Sequence, residues 1–113
     1  MTKERVLVVD DEQLNLFIIE EFLQQEDIEL ETHSDPLAAW ASLIAPESNF
    51  SLVVLARMMP ELDGMELLRR MKREARFADI PVIMQTAASS PDQVREGLEA
   101  GAYYYLTKPY EPE

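Results

Sequence analysis

Short apolar runs along the chain predict strands of a buried β-sheet. The runs RVLVVD (5–10), LVVL (52–55) and IPVIMQ (80–85) are continuous rather than alternating, which is typical of parallel strands covered on both faces. Residues 29–33 alternate between polar and apolar side chains, as a half-exposed edge strand does. A last strand is predicted over residues 102–106.

Between these strands the apolar positions recur with helical spacing. Helix starts are indicated by Asp35 before Pro36, by Asp63 with Glu66 three residues later, and by Ser90 before Pro91. Gly101 is expected to close the last helix. The side chains expected to face the core are Ile18, Ile19, Phe22 and Leu23, then Leu37, Trp40, Ala41 and Ile44, then Leu67, Leu68 and Met71, and finally Val94 and Leu98.

Strands alternating with helices predict a three-layer α/β domain with a parallel sheet of five strands and four helices. The chain of 113 residues is long enough for one such domain with its own core. In these sheets the functional site lies outside the carboxyl ends of the strands. We therefore expect function to reside where the central strand ends at Ala56 and passes into the loop that stops at Asp63.

Composition narrows the possible partners. The chain has 22 acidic and 10 basic residues, and its net charge of −12 argues against direct binding of nucleic acid or of anionic lipid surfaces. Without cysteine it can form neither disulfides nor thiolate metal sites. No apolar run is as long as a membrane span or a signal-peptide core, so we expect a cytoplasmic protein.

Polar side chains stand at the predicted strand ends and suit phosphoryl chemistry. Asp10 and Asp11 are adjacent acids whose mutual repulsion a divalent cation relieves, and carboxylates with carbonyls and water suit Mg²⁺. Thr86 and Lys108, each at another strand end, supply a hydroxyl and an ammonium group of the kind that binds a phosphoryl group. Each residue alone is weak evidence, but together at neighbouring strand ends they predict one crevice.

The segments VLVVDDE, LVVLARMMPELDGMELLRRMK, IPVIMQTA and GAYYYLTKP resemble the receiver domain of two-component response regulators of the chemotaxis-regulator type, over almost the whole chain. The resemblance implies a doubly wound, flavodoxin-like sheet with strand order 2-1-3-4-5. It implies Mg²⁺ bound by the acidic pair, a phosphate-binding hydroxyl and lysine, and a switch aromatic. The corresponding residues here are Asp10, Asp11 as the direct metal ligand, Met58 through its backbone carbonyl, Thr86, Lys108 and Tyr105.

The resemblance also implies partners. A receiver takes phosphate from a histidine kinase or a histidine phosphotransfer protein and catalyses that transfer itself, so the chain is not expected to be an independent enzyme. The docking surface for the donor is implied on the first helix, at Leu14 and Ile18, and on the last turn, at Pro109 and Tyr110. An aspartate-based phosphatase is the least favoured interpretation, because it needs a DxD arrangement and Asp10 and Asp11 are adjacent.

The phosphoacceptor aspartate of the family is replaced here by Ala56. A methyl group has no oxygen to carry an acyl phosphate, and its presence removes one metal ligand and weakens Mg²⁺ binding. Two explanations are open: an engineered Asp-to-Ala change, which we favour because the other site residues remain, and a natural pseudo-receiver that acts as a phosphorylation-independent interaction domain.

Length is the second departure from the family pattern. Receivers of this type carry a fifth helix, and this sequence stops at Glu113 before such a helix could form. We therefore interpret residues 1–113 as a receiver domain with its last helix truncated and an output domain beyond. One sheet face would then be partly uncovered, which predicts pairing with another chain, for instance as a homodimer.

Overall fold

The computed structural model describes residues 4–23, 27–59, 61–86 and 90–107. They form a five-stranded parallel sheet with strand order β2-β1-β3-β4-β5 and four α-helices, as expected from the sequence. In chain order the elements are β1 (Glu4–Val9), α1 (Gln13–Leu23), β2 (Ile28–His33), α2 (Pro36–Ile44), β3 (Leu52–Ala56), α3 (Gly64–Arg73), β4 (Val82–Thr86), α4 (Pro91–Glu99) and β5 (Tyr104–Thr107).

The sheet separates two apolar clusters, as the alternation of side chains along a strand requires. The larger cluster joins Leu7, Val53 and Leu55 of the central strands to side chains of α2 and α3. The smaller one joins Val8 and Val54, on the other face of the same strands, to side chains that include Leu16 of α1. The central strands are thus covered on both faces, as their continuous apolar sequence predicts.

Three predicted helix starts are confirmed by their capping hydrogen bonds. Asp35 Oδ1 accepts a bond of 3.0 Å from the backbone N–H of Leu37, and Asp63 Oδ1 accepts one of 2.8 Å from that of Glu66. Ser90 Oγ accepts the corresponding bond of 3.2 Å from the amide of Gln93. Each cap satisfies a donor that the helix itself leaves unpaired, so these short polar motifs fix where the helices begin.

The predicted inward face of α2 is wrong in part. Leu37 and Ile44 are 46% and 45% exposed and Ala41 is exposed as well, whereas Ala39 and Leu43 are buried. This helix has apolar residues around most of its circumference, so periodicity could not identify the buried side. A small residue lets the helix approach the sheet closely, and Ala39 therefore lies on the buried side.

The predicted inward faces of α4 and α1 also need correction. Leu98 is 45% exposed, and the buried position of α4 is Gly97, against which the ring of Tyr105 packs. Among the described side chains of α1, Leu16 is the most buried. Ile19 is half-buried and packs against the same apolar cluster, as predicted, while Ile18 is half-buried. The side chains of Phe22 and Leu23 lie outside the described residues.

Charged side chains protect the sheet edge formed by β2. Arg5 donates to Glu29 over 3.0 Å and to Glu31 over 3.1 Å, and Glu31 also bonds to Ser42 and to His33. Burial alone would raise the pKa of Glu31, but the hydrogen bonds from Ser42 and His33, with the charge of Arg5, hold it below its ordinary value. The carboxylate of Glu31 is therefore favoured in the folded state.

We expect Glu31→Gln to remove part of the acid dependence of stability. The pKa of Glu31 is lowered by folding, so its contribution is fully present above the unfolded glutamate pKa of about 4.3 and is lost as pH falls through the lower folded pKa. Urea unfolding from pH 7 to pH 3 should show a shallower loss of stability in the variant. Parallel curves for the two proteins would contradict the assignment.

None of the helices in the described parts of the chain combines the length and apolar character needed to cross a bilayer.

Candidate functional site

The candidate site lies at the carboxyl ends of the three central strands. Asp10 follows the last residue of β1, Ala56 ends β3, and Gln85 is the register partner of Ala56 on β4. The three residues therefore stand side by side in neighbouring strands, with Ala56 in the middle. All three side chains are completely buried.

Asp10 is held by hydrogen bonds to both of its carboxylate oxygens. Oδ1 accepts a bond of 2.9 Å from the backbone N–H of Glu12. Oδ2 accepts bonds from the amide Nε2 of Gln85 over 3.0 Å and from the amide Nδ2 of Asn15 over 3.3 Å. These donors compensate the cost of burying the carboxylate.

The loop after β3 folds back onto the strand that precedes it. The backbone N–H of Arg57 donates to the carbonyl of Gln85 over 2.8 Å, and the N–H of Gly64 donates to the carbonyl of Arg57 over 2.8 Å. Glu61, within the loop, has a φ of 70°, in the left-handed region that non-glycine residues seldom adopt. Gly64 packs directly on the carbonyl of Ala56, where an added Cβ would lie 2.0 Å from the oxygen.

An open cleft of about 370 Å³ adjoins this loop and is lined by Asp11, Met58, Met59 and Asp63. Asp11 is exposed and Met58 is 73% exposed, so a ligand can reach both residues from solvent. Thr86 ends β4 beside Gln85 and is buried. The structure therefore brings Asp10, Ala56 and Thr86 to one edge of the sheet, and it places Asp11 and Met58 together in the cleft at that edge.

Arg57, the residue after Ala56, links the site to α4 and β5. Its Nη1 donates to the carbonyl of Gln93 and to the hydroxyl of Tyr105, both over 3.1 Å, and its Nη2 bonds to Glu96. Burial alone would lower the pKa of Arg57, but the bonds to Glu96 and Tyr105 raise it above its ordinary value. The guanidinium thus fixes the predicted switch aromatic, Tyr105, against α4.

The side chains do not fit a tight Mg²⁺ site in this arrangement. Both oxygens of Asp10 already accept hydrogen bonds, and Ala56 contributes no oxygen. Among the residues that the structure describes, no group of three or more histidine, aspartate or glutamate side chains is arranged to hold a metal ion. Asp11 and the carbonyl of Met58 remain the predicted metal contacts.

The remaining predicted site residues lie either on α1 or outside the described residues. Leu14, on α1, is 69% exposed, and Ile18 on the same helix is half-buried. Lys108, Pro109 and Tyr110 lie outside the described residues.

Sequence reasoning missed Asn15, Arg57 and Gln85 as members of the site. Gln85 did leave a signal, because it is a polar side chain at the end of an apolar strand run, where a buried amide needs partners. Arg57 follows Ala56 directly, but no sequence pattern predicts its contacts with α4.

The fold and the site define a class of protein: an α/β domain with an acidic crevice at the carboxyl ends of parallel strands. The profile of the response regulator receiver domain matches residues 6–113, and this chain belongs to that family.

Curated relatives agree with this assignment. The phosphate regulon transcriptional regulatory protein PhoB of Pseudomonas aeruginosa is 36% identical over 99% of this chain, which spans only 48% of that protein. The two-component response regulator ORR3 of Oryza sativa is 31% identical over 95% of the chain, and the match covers 81% of ORR3. The chain thus spans about half the length of PhoB but most of ORR3.

Solved structures show the same fold. The chemotaxis protein CheY4 of Vibrio cholerae has a TM-score of 0.87 at 28% identity, with coverage of 98% of this chain and 91% of CheY4. The Mn²⁺-bound form of the response regulator Rcp1 has a TM-score of 0.86 at 30% identity, with coverage of 96% and 83%. The expected fold and family are therefore confirmed.

Proposed function

We propose that this chain is the phosphoacceptor module of a two-component response regulator in a form that cannot accept phosphate. The observation that carries the proposal is Ala56, which is fully buried at the end of β3 between Asp10 and Gln85, where the family has its phosphoacceptor aspartate. A methyl group there cannot form an acyl phosphate. The chain is then a substrate-like signalling domain rather than an independent enzyme.

The proposal includes weakened binding of Mg²⁺ or Mn²⁺. Asp11, Met58 and Asp63 line an open cleft, so a cation can approach from solvent. Since position 56 supplies no carboxylate, the cation would depend on exposed ligands, and divalent ions held by few protein oxygens bind weakly.

The decisive experiment restores the carboxylate. Ala56→Asp, incubated with acetyl phosphate and Mg²⁺, should gain one phosphoryl group, whereas the chain with Ala56 should gain none. In the reaction the carboxylate oxygen attacks phosphorus, the bond from phosphorus to the acetyl oxygen breaks, and acetate leaves. Intact-mass spectrometry measures the adduct on both proteins.

Ala56→Asn is the matched control, because it has the shape of aspartate without its nucleophilic carboxylate. It should stay unmodified under the same conditions. A phosphoryl adduct on the chain with Ala56, or a folded Ala56→Asp protein that takes none from an active donor, would refute the proposed function.

We also propose that α1 carries the docking surface for a histidine kinase or phosphotransfer protein. Leu14 and Phe17 are 69% and 57% exposed, and together with the half-buried Ile18 they give this helix an apolar outer strip. Isolated exposed apolar residues are common, but neighbouring ones indicate a contact surface. Pro109 and Tyr110 lie outside the described residues and stay predicted members of the docking surface.

Leu14→Asp should weaken binding to a cognate phosphotransfer partner by more than about tenfold, because it places a charge in an apolar contact. The control is Leu37→Asp, which changes an exposed leucine on α2, the helix that packs on the other face of the sheet. Titration calorimetry measures the affinity of both variants for the partner. Equal affinities would refute the proposed docking surface on α1.

A second candidate is a natural pseudo-receiver that binds partners without phosphorylation. The contacts of Arg57 favour it, because Tyr105 and α4 are tied together through side chains that require no phosphoryl group. In either case an output domain of the parent protein is a further partner. A second copy of the chain is another proposed partner. The half-buried apolar side chains of Leu52 and Ile83, on the sheet face covered by α1, support such a homodimer.

A further inference from the structure

The amide of Gln85 reaches across Ala56 to the carboxylate of Asp10. Residues paired in register on parallel strands point to the same face, so the side chains of Gln85 and Ala56 start side by side. Asp10 follows Val9, the register partner of Leu55, so it stands on the far side of Ala56. The bond of 3.0 Å from Nε2 to Oδ2 therefore spans the width of the central strand.

This bridge passes over the alanine and is entirely buried. Asp10 and Gln85 are both fully inaccessible to solvent, and Ala56 between them has only a methyl group. A buried carboxylate must be paired or hydrogen-bonded, and a hydrogen bond to a charged acceptor is stronger than one between neutral groups. The Gln85 amide supplies part of the stabilisation that a cation would otherwise give to Asp10.

We infer that Gln85 keeps the crevice in a cation-independent state and that positions 56 and 85 together set its affinity for divalent metal ions. Oδ2 of Asp10 already accepts two amide bonds, so a cation that coordinates this oxygen must displace one of them. A carboxylate introduced at position 56 would lie beside the same amide of Gln85. The amide would then compete with the cation for the new carboxylate as well as for Asp10. This inference rests on the proposed function, because it assigns the crevice as the receiver site.

A carboxylate restored at position 56 alone should give a weak metal site. Mg²⁺ should bind Ala56→Asp, and it should bind the double variant Ala56→Asp with Gln85→Met about tenfold more tightly, since methionine has a similar length and no donor. Titrations followed by ¹⁵N–¹H chemical shifts give both dissociation constants and report whether each protein is folded.

Asn49 provides the control, because it also carries an amide but is exposed in the segment before β3, at the opposite end of the strand from Ala56, where its Oδ1 accepts a bond of 3.0 Å from Arg5. Adding Asn49→Ala to Ala56→Asp should change Mg²⁺ affinity by less than about threefold. Equal affinity of the Gln85→Met double variant and the Ala56→Asp single variant would overturn the inference.

A second measurement retains Gln85 and so does not depend on how the double variant folds. In Ala56→Asp, saturating Mg²⁺ should move the side-chain NH₂ signals of Gln85, because the amide leaves Asp10. In the chain with Ala56 the same Mg²⁺ concentration should leave these signals in place. Unmoved signals in metal-saturated Ala56→Asp would refute displacement.

The two proposals fail in different ways. If Ala56→Asp is phosphorylated but the Gln85 substitution leaves its metal affinity unchanged, the receiver function stands and the role of Gln85 is wrong. If folded Ala56→Asp takes no phosphoryl group whether residue 85 is glutamine or methionine, the proposed function itself is wrong.

Discussion

Gly64→Ala should lower the free energy of unfolding by about 3 kcal/mol, the upper end of the usual cost of overpacking. The added Cβ would lie 2.0 Å from the carbonyl oxygen of Ala56, 2.9 Å from its carbonyl carbon and 3.0 Å from Cα of Arg57. These are backbone atoms of β3 and of the loop at the candidate site, so they cannot move aside as a flexible side chain does. Urea denaturation measures the loss.

Gly97→Ala is the control, because this glycine also has a close neighbour but of another kind. Its added Cβ would lie 2.7 Å from Cε2 of Tyr105, a side-chain atom, whereas the atoms nearest to the Cβ at position 64 belong to the backbone. Alanine also has a higher helix propensity than glycine by about 1 kcal/mol, which offsets part of the strain in α4. A Gly64→Ala protein as stable as Gly97→Ala would show that the loop does not pack on β3 as described.

Arg57→Met should cost about 2 kcal/mol of stability, since hydrogen bonds that involve charged groups contribute about 1.5–3 kcal/mol. The guanidinium side chain is 13% exposed and bonds to the Gln93 carbonyl, the Tyr105 hydroxyl and the Glu96 carboxylate. Glu96 retains a second cationic partner, Arg69, at 3.7 Å. The substitution should therefore mainly affect the positions of Tyr105 and of α4.

Arg57→Lys separates charge from geometry, because lysine keeps the positive charge but cannot reproduce the planar fork of donors. If the planar fork of donors matters, the lysine variant should lose most of the same stability. The near-ultraviolet circular dichroism of the chain, to which Tyr105 contributes, should change in both variants. A lysine variant as stable as the original chain would mean that charge alone stabilises this contact.

The strand order and helix starts could be predicted because local patterns determine them. Continuous apolar runs indicate central parallel strands, and Asp35, Asp63 and Ser90 cap helices through bonds to amides two or three residues away. Strand limits differed by one or two residues; β4, for example, is Val82–Thr86 rather than residues 80–85. The buried faces of α2 and α4 could not be predicted, because they depend on which small residue allows close packing, Ala39 or Gly97.

The site was predictable in its location but not in its hydrogen bonds. Parallel strands end at one edge, so Asp10, Ala56 and Thr86 had to converge there. The bond from Gln85 to Asp10 joins residues 75 positions apart and depends on the register of three strands, which no local pattern contains. The contacts of Arg57 with α4 are long-range in the same sense.

Trp40, the only tryptophan of the chain, gives the protein an optical signal that is separate from its candidate site. Its ring meets Phe77 edge to face with centroids 6.2 Å apart, and the guanidinium of Arg70 lies 5.7 Å from its centroid. These neighbours belong to α3 and the turn after it, and they do not line the crevice. Tryptophan emission should therefore follow unfolding of the α2–α3 layer while staying nearly constant during metal titration, so one sample can report fold integrity by fluorescence and site occupancy by nuclear magnetic resonance.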